Sequence, residues 1–391
     1  MLKQISIDEL QPGMFVSQVL EQTGNIKVRS GGLVKTGRVI EQLRHKGIQR
    51  IEIDLTKSIL APANKPSSLP AIPPAAASEK DALASAAALF ETAVAMQKDL
   101  IDALKNQTAQ NLDVVEDLSN GIIDSVFHNR DAMACLTMIK NADRYMLEHS
   151  INCSVLMAIF ANQLGYDRAT TNVLCTGSLL MDIGMARVPA ELRNRSTQLT
   201  DNDWQIIRSH VEQGMEMIAP FKTLEEPVKM IISEHHERVD GSGYPTGLSG
   251  ENITVFARMA AIIDTYDAMI SERSHQLAVA PAVALKRLVQ DSGLDQNLVR
   301  QFVRCIGVHP VGSLVQLKSG RLAIVARTNE EDMLKPVVMS FYSLNSNNYS
   351  EIKRIDLAHA EDDIVKSVRP DDFGLNLPKF FKDIFIHQMP G

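Results

Sequence analysis

Six side chains in the middle of the chain are of the types that hold metal ions: His149, Asp182, His210, His235, His236 and Asp264. Their successive gaps are 33, 28, 25, 1 and 28 residues. A gap of roughly 25–33 residues is one helix, a loop and part of the next helix. The ladder therefore predicts one or two donors on each successive helix of a bundle, and helical bundles build metal sites from facing helices in this way. Asp182, in SLLMDIGMARVP (178–189), and Asp264, in ARMAAIIDTYDAMI (257–270), are carboxylates set in apolar runs. A buried carboxylate is costly unless a cation or hydrogen bonds compensate it. Taken singly, His149 in EHSINCSVLMAIF (148–160) and His210 in IIRSHVEQGM (206–215) fit satisfied core histidines as well as ligands. The adjacent pair His235-His236 diverges by about 100° on a helix, so both serve one site only at a helix end or bend. The following RVDGSGYP (238–245) supplies such an end, and a solvated polar terminus is the plainer alternative. Six such residues at helical-hairpin spacing predict a composite cation site.

These donors need a scaffold, and the pattern from 79 to 306 is helical. EKDALASAAALFETAVAMQKDLIDALKN (79–106) is rich in strong helix formers with apolar residues at 3.6-type spacing, and a second helix is expected over 109–127. Gly165 is expected to follow one helix and Gly184 to close another. Thr200 with Asp203 resembles a capping box ahead of one helix, DWQIIRSHVEQGMEMI (203–218), which Pro220 ends. Before the bundle, residues 1–58 read as a small accessory α/β module, with a helix near 37–46 and a half-buried strand over 48–55. Residues 59–80 form a Pro/Ala-rich linker and 81–138 a helical connector, leading into a helical domain over 139–306. Residues 307–391 read as a β-rich module and tail, with a hairpin in VGSLVQLKSGRLAIVART (311–328), a strand in PVVMSFYSL (336–344) and FGLNLPKFFKDIFIHQ (373–388) as a docked helix or loose end. The fold class is mainly α: a helical bundle between two small modules.

A chain of 391 residues with 45% hydrophobic content can build two or three cores. The formal charge of −7 speaks against bulk nucleic-acid binding but leaves room for a small anion held by local cations. Cys135, Cys153, Cys175 and Cys305 make no C-x-x-C pair, and read as small buried hydrophobes of a reducing compartment. The N-terminus has no apolar signal region, and no run of about 18 apolar residues occurs, so a cytoplasmic protein without a membrane span is expected.

At HHERVDGSGYPTGLSG (235–250), together with HSIN (149–152), MDIG (181–184), HVEQG (210–214) and DTYDAM (264–269), the chain resembles the HD-GYP proteins. These are a bacterial signalling branch of the HD phosphohydrolase superfamily. The likeness covers about 140–305. ISIDELQPGMFVSQ (5–18) is similar to an accessory domain often fused to this family, and GVHPVGSLVQLKSG (307–320) to the segment that commonly follows the bundle. The resemblance implies an HD-type helical bundle with two or three transition metals. It also implies hydrolysis of cyclic di-GMP to pGpG by a hydroxide bridging two of them. Asp182 would be the bridging, catalytic carboxylate. One metal would take His149, Asp182 and Asp264, and the other Asp182, His210, His235 and His236. Iron, manganese, nickel and zinc all suit imidazole with carboxylate. Gly243, Tyr244 and Pro245 would shape the lip of the site and Arg273 would meet ligand phosphate. A tight turn and a surface charge are the plainer readings of these four.

The likeness has gaps. Where the family has His-Asp, this chain has Met181-Asp182, and thioether is a weak, soft ligand. The lysine that usually follows is Met185. An aromatic-basic pair beyond Arg273 is replaced by His275-Gln276, and Tyr145 stands where some members bring a third-metal glutamate. Two readings follow: a phosphodiesterase impaired at its first metal, or an inactive module that keeps one metal and binds cyclic di-GMP or a signalling partner. A diguanylate cyclase and a second copy of the chain are the partners considered.

Overall fold

The computed structural model describes residues 2–7, 10, 14–23, 32–34, 37–54, 79–139, 144–272, 277–329 and 331–375. Nearly all of the expected linker, the tail from 376, and Arg273 with His275 and Gln276 lie outside the described residues. The chain divides into two units, Met1–Ser68 and Leu69–Gly391.

In the first unit, β1 (Leu2–Ser6), β2 (Phe15–Gln22), β3 (Gly32–Leu33) and β4 (Ile48–Asp54) form an antiparallel sheet in the order β1-β4-β2-β3, and α1 (Gly37–His45) precedes β4. Ile51 and Ile53 of β4 are fully buried and cluster with Ile40 of α1 and Ile5 of β1. The two-residue alternation read in this strand is what places them on one face.

The second unit begins with α2 (Glu79–Lys105), α3 (Asp113–His128) and α4 (Arg130–Thr137). α5 (Tyr145–Gln163) and α6 (Arg168–Leu180) follow. Residues 151–161 of α5 are buried all round, which makes it the central helix. It packs against α3 and α6. The chain continues through α7 (Ala190–Arg193), α8 (Asp201–Arg208), α9 (His210–Ile218), α10 (Glu226–Glu234), α11 (Val255–Ile270), α12 (Pro281–Gln290) and α13 (Gln296–Ile306). α11 and α13 also pack on α5. Side-chain N-caps start several of these helices: Asp167 for α6, Thr254 for α11 and Asp295 for α13.

Two local expectations are corrected. The capping box at Thr200 and Asp203 is present, but it starts only α8. The run to Ile218 is broken at Ser209, and His210 opens a new helix. Gly184 does not close a helix: α6 ends at Leu180, and Gly184 lies inside a short 3-10 helix, Ile183–Arg187. A Cβ at Gly184 would lie 1.9 Å from the backbone oxygen of His210. The glycine is there for close approach of two backbones.

The C-terminal part carries β5 (Leu314–Leu317), β6 (Arg321–Arg327), β7 (Val337–Ser343), β8 (Asn348–Asp356) and β9 (Ile364–Ser367), in the sheet order β8-β7-β6-β5-β9. β5 and β6 form the expected hairpin, with Gly320 at φ 76° in the turn. β8 and β9 are the sheet's edges and mostly face solvent, so their sequences lack the apolar signal of β7. Phe341, Ile324 and Val325 join Phe160, Phe302 and Leu180 in one hydrophobic core. The fold class is thus mainly α, with small sheets at either end. All four cysteines are buried and unpaired. Among the described residues, no helix is long and apolar enough to cross a membrane.

Candidate metal centre

Five segments bring the donors together. His149 lies in the first turns of α5 and is buried. Asp182 precedes the 3-10 helix that follows α6. His210 opens α9, and the glycine at 184 lets that start pack directly on the 3-10 turn. α10 stops at Glu234, with His235 at its C-cap. His236 lies just past it, so the two rings escape the divergence of a continuous helix. Asp264 is on α11.

The distances describe one cluster. Asp182 Oδ2 is 3.3 Å from His149 Nε2, and its Oδ1 is 3.2 Å from His210 Nε2 and 3.7 Å from His235 Nε2. Asp264 Oδ1 is 3.0 Å from His149 Nε2, and its Oδ2 is 3.7 Å from His236 Nδ1. The six fall in two sets in which every donor atom lies within 4.8 Å of the others: Asp182, His210, His235 and His236, and separately His149, Asp182 and Asp264; a third such group, His149 with Cys153 and Asp267, lies behind His149. Asp182 belongs to both. The structure thus brings the six residues together, with Asp182 between the rest.

The opposite ring nitrogens are also held. His210 Nδ1 is 2.7 Å from the Ile207 carbonyl and His235 Nδ1 is 2.9 Å from the Ile232 carbonyl. A carbonyl only accepts, so each Nδ1 carries a proton and each Nε2 is the nitrogen that faces Asp182, where an N–H meets the carboxylate and a lone pair would meet a bound ion. His149 Nδ1 is 2.8 Å from Asp267 Oδ2, a fully buried carboxylate. Burial would push the Asp182 carboxyl up, but hydrogen bonds from His149, His210 and His235 outweigh it and hold it well below the usual carboxylate range. Burial likewise opposes Asp264, and the His149 hydrogen bond and nearby His236 hold it low. Burial, then the neighbouring His235, push His236 well below its ordinary value. That keeps it neutral, the form that ligates.

The GSGYP loop closes over this cluster. The Tyr244 ring stacks on His236 at 4.6 Å, and Tyr244 N–H donates to the His236 carbonyl. Burial raises the Tyr244 phenol, so it stays protonated at neutral pH. A Cβ at Gly243 would lie 2.4 Å from the Arg238 nitrogen, so the turn requires glycine. Pro245 follows a cis peptide bond. Buried Glu237 accepts the backbone N–H groups of Thr246, Gly247 and Leu248. Glu237 and Asp267 were not anticipated from the sequence. The three-residue spacing of Asp264 and Asp267 on one helix was the available signal for the latter. Tyr145 stacks on His149 at 5.2 Å. Met181 is completely buried in the apolar core, whereas Met185 lines the cavity in front of the cluster. That cavity has a volume of about 1040 Å³ and is reached by His149, Asp182, His210, His236, Tyr244 and Asp264.

The HD domain family matches residues 133–298, and a domain of unknown function, DUF3391, matches residues 2–115. A protein named cyclic di-GMP phosphodiesterase PA4108, from Pseudomonas aeruginosa, is 32% identical over 376 residues, which is 92% of this chain and 90% of that one. Cyclic di-GMP phosphodiesterase PdeB of Borreliella burgdorferi is 24% identical over 201 residues, 51% of this chain and 53% of its own. Among solved structures, Bd1817, an HDG"Y"P protein from Bdellovibrio bacteriovorus, shares the fold with a TM-score of 0.51 at 18% identity, over 77% of this chain and 98% of that one. With a relative this similar along nearly its whole length, and an HD domain around the histidine and aspartate cluster, the chain belongs to the HD-GYP family of HD-domain proteins.

Proposed function

We propose that this protein hydrolyses cyclic di-GMP to pGpG with divalent transition metals, and that Met181 and Met185, standing where the family motif has histidine and lysine, slow the reaction. The observation that supports this most is the pair of donor sets sharing Asp182 at the wall of one large cavity. The donor chemistry fits such ions: six nitrogen and oxygen side chains fall in two sets that share Asp182, whose described ion-pair partners are imidazoles. His149, Asp182 and Asp264 would hold one ion, and Asp182, His210, His235 and His236 the other. Iron, manganese, nickel and zinc all suit this set. Paired ions at such a site polarise phosphate oxygens and acidify water.

The chain's own residues do the rest. Asp182 offers one carboxylate oxygen to each set. Asp267 and the two backbone carbonyls fix which imidazole nitrogen faces inward. Tyr244 holds a neutral O–H at the lip and covers His236 against water. Met181 is packed in the core and gives no donor, so the first set has one imidazole and two carboxylates. Its full burial also favours a second reading, a binding module that keeps only the second ion. Gly243 and Pro245 shape the lip, and Arg273 is proposed as a phosphate contact.

The test is chromatography for pGpG after incubating the full chain with cyclic di-GMP and manganese or ferrous ion, with metal content measured in parallel. We expect slow turnover that Asp182→Asn abolishes. Restoring Met181→His together with Met185→Lys is expected to raise kcat about a hundredfold or more, since a weakened metal forfeits several kcal/mol of transition-state stabilisation. Binding without pGpG, even in the restored variant, selects the binding module. No binding and no pGpG overturns the assignment. Fast turnover by the parent, unchanged on restoration, removes the impairment.

A further inference from the structure

Part of the cavity lining comes from one stretch, the end of α7 to the end of α8, which supplies Arg193, Asn194, Ser196, Trp204 and Ile207. Trp204 is the chain's one tryptophan and is 42% exposed. An indole left that open is unusual for so large an apolar ring. It lies one helical turn before Ile207, whose carbonyl fixes His210, so the indole and the metal cluster are held by the same short helix. Arg193 is half-buried. Its Nε donates to the Val188 carbonyl at 3.2 Å and its Nη1 to the Met146 sulfur at 3.0 Å. No ion pair to a carboxylate is found for it among the described residues, and it lines the cavity with N–H donors left over. Arg144, which also lines the cavity, contrasts with it: that guanidinium is tied to Glu91 and Glu148. A half-buried arginine fixed by neutral groups keeps its full charge for an incoming anion.

We propose that Trp204 and Arg193 form a nucleotide subsite, in which the indole stacks on one guanine of the substrate and the guanidinium holds a phosphate oxygen between that base and the metal cluster. The inference rests on the cyclic di-GMP reading above and adds to it the residues that recognise the nucleotide. The aromatic face meets any purine, and the arginine meets any phosphate, so the pair selects a nucleotide over a bare phosphodiester. Arg193 also brings to this cavity a fixed positive charge, which Met185 does not offer. Asn194 and Ser196 also line the cavity and bring polar side chains that suit ribose or base edges.

Because Trp204 is the sole indole, its emission reports directly on the subsite. Cyclic di-GMP is titrated into the manganese-loaded full chain while Trp204 fluorescence is followed, and pGpG is measured in the same samples. We expect saturable quenching. Trp204→Leu is expected to weaken binding, read as KM or by calorimetry, about 5- to 150-fold, which corresponds to the ~1–3 kcal/mol of one stacked base. Trp204→Phe should recover most of it. Arg193→Met is expected to cost about 10- to 150-fold in affinity, as for a hydrogen bond to a charged group, with Arg193→Lys in between. In all four variants kcat changes less than KM, and the melting temperature stays near the parent's. Quenching with no pGpG supports the subsite while removing the hydrolytic reading. Turnover with unchanged emission, and leucine and methionine variants at parental KM, overturns the subsite and leaves the hydrolytic reading standing. Neither quenching nor turnover overturns both.

Discussion

At Asp267 a fully buried carboxylate sits 2.8 Å from the outer nitrogen of His149. It is not among the residues that line the cavity, yet it decides which way the imidazole of His149 faces. Asp267→Asn keeps the size and removes the charge. We expect manganese affinity at the His149 set to fall about 10–100-fold, the range for an outer partner of a ligating histidine. Calorimetric titration of manganese checks this, and an unchanged isotherm refutes the positioning role. The six donors were readable from residue type and gap alone. Asp267 was not, because the sequence says which residues share a helix face but not which partner that face meets. Arg193 and Trp204 stayed silent for a related reason. An arginine and a tryptophan in a polar loop look like surface until the cavity they border is known.

The elements decide whether the donors converge. α6 ends before Asp182, and the 3-10 turn that follows runs against the start of α9 with Gly184 at the crossing. Gly184→Ala would set a Cβ 1.9 Å from the His210 oxygen, and backbone cannot give way as a flexible side chain does. The expected cost is about 1–3 kcal/mol or more, read as a lower midpoint in thermal melting, together with weaker metal binding as His210 moves off Asp182. A parental melting temperature would show that the crossing is soft. The break at Ser209 belongs to the same scale. Apolar periodicity runs on through 203–218, so the sequence reads as one helix. In the structure Ser209 separates α8 from α9, and His210 back-bonds to Ile207. The Thr200 and Asp203 cap was legible because both bonds of a capping box are made within four residues. Thr200→Ala removes the hydroxyl that accepts the Asp203 N–H. It should cost ~1 kcal/mol, visible as a small shift of the melt, and loosen the helix that carries Trp204.

For the whole molecule, the cluster places one buried and one half-buried carboxylate among four histidines inside a bundle that shares its core with the C-terminal sheet. An ion bound only by the folded chain stabilises it by mass action, about 2.7 kcal/mol at a hundredfold excess over its dissociation constant. Manganese is therefore expected to raise the melting temperature, EDTA to return it, and Asp182→Asn to cancel most of the difference. Scanning fluorimetry checks all three, and equal midpoints with and without metal would contradict a site in the six side chains. The sequence by itself determined the mainly helical class, the β-rich ends, the HD-GYP likeness and the six donors. Those depend on period, composition and spacing, which are local properties of the chain. Only the tertiary structure decided that Asp182 faces both donor sets, that Met181 turns into the core while Met185 lines the cavity, and that Arg193 and Trp204 line the same cavity as the cluster. Each of these is a matter of direction in space between segments far apart in the chain, set by how the helices pack, and no local pattern encodes it.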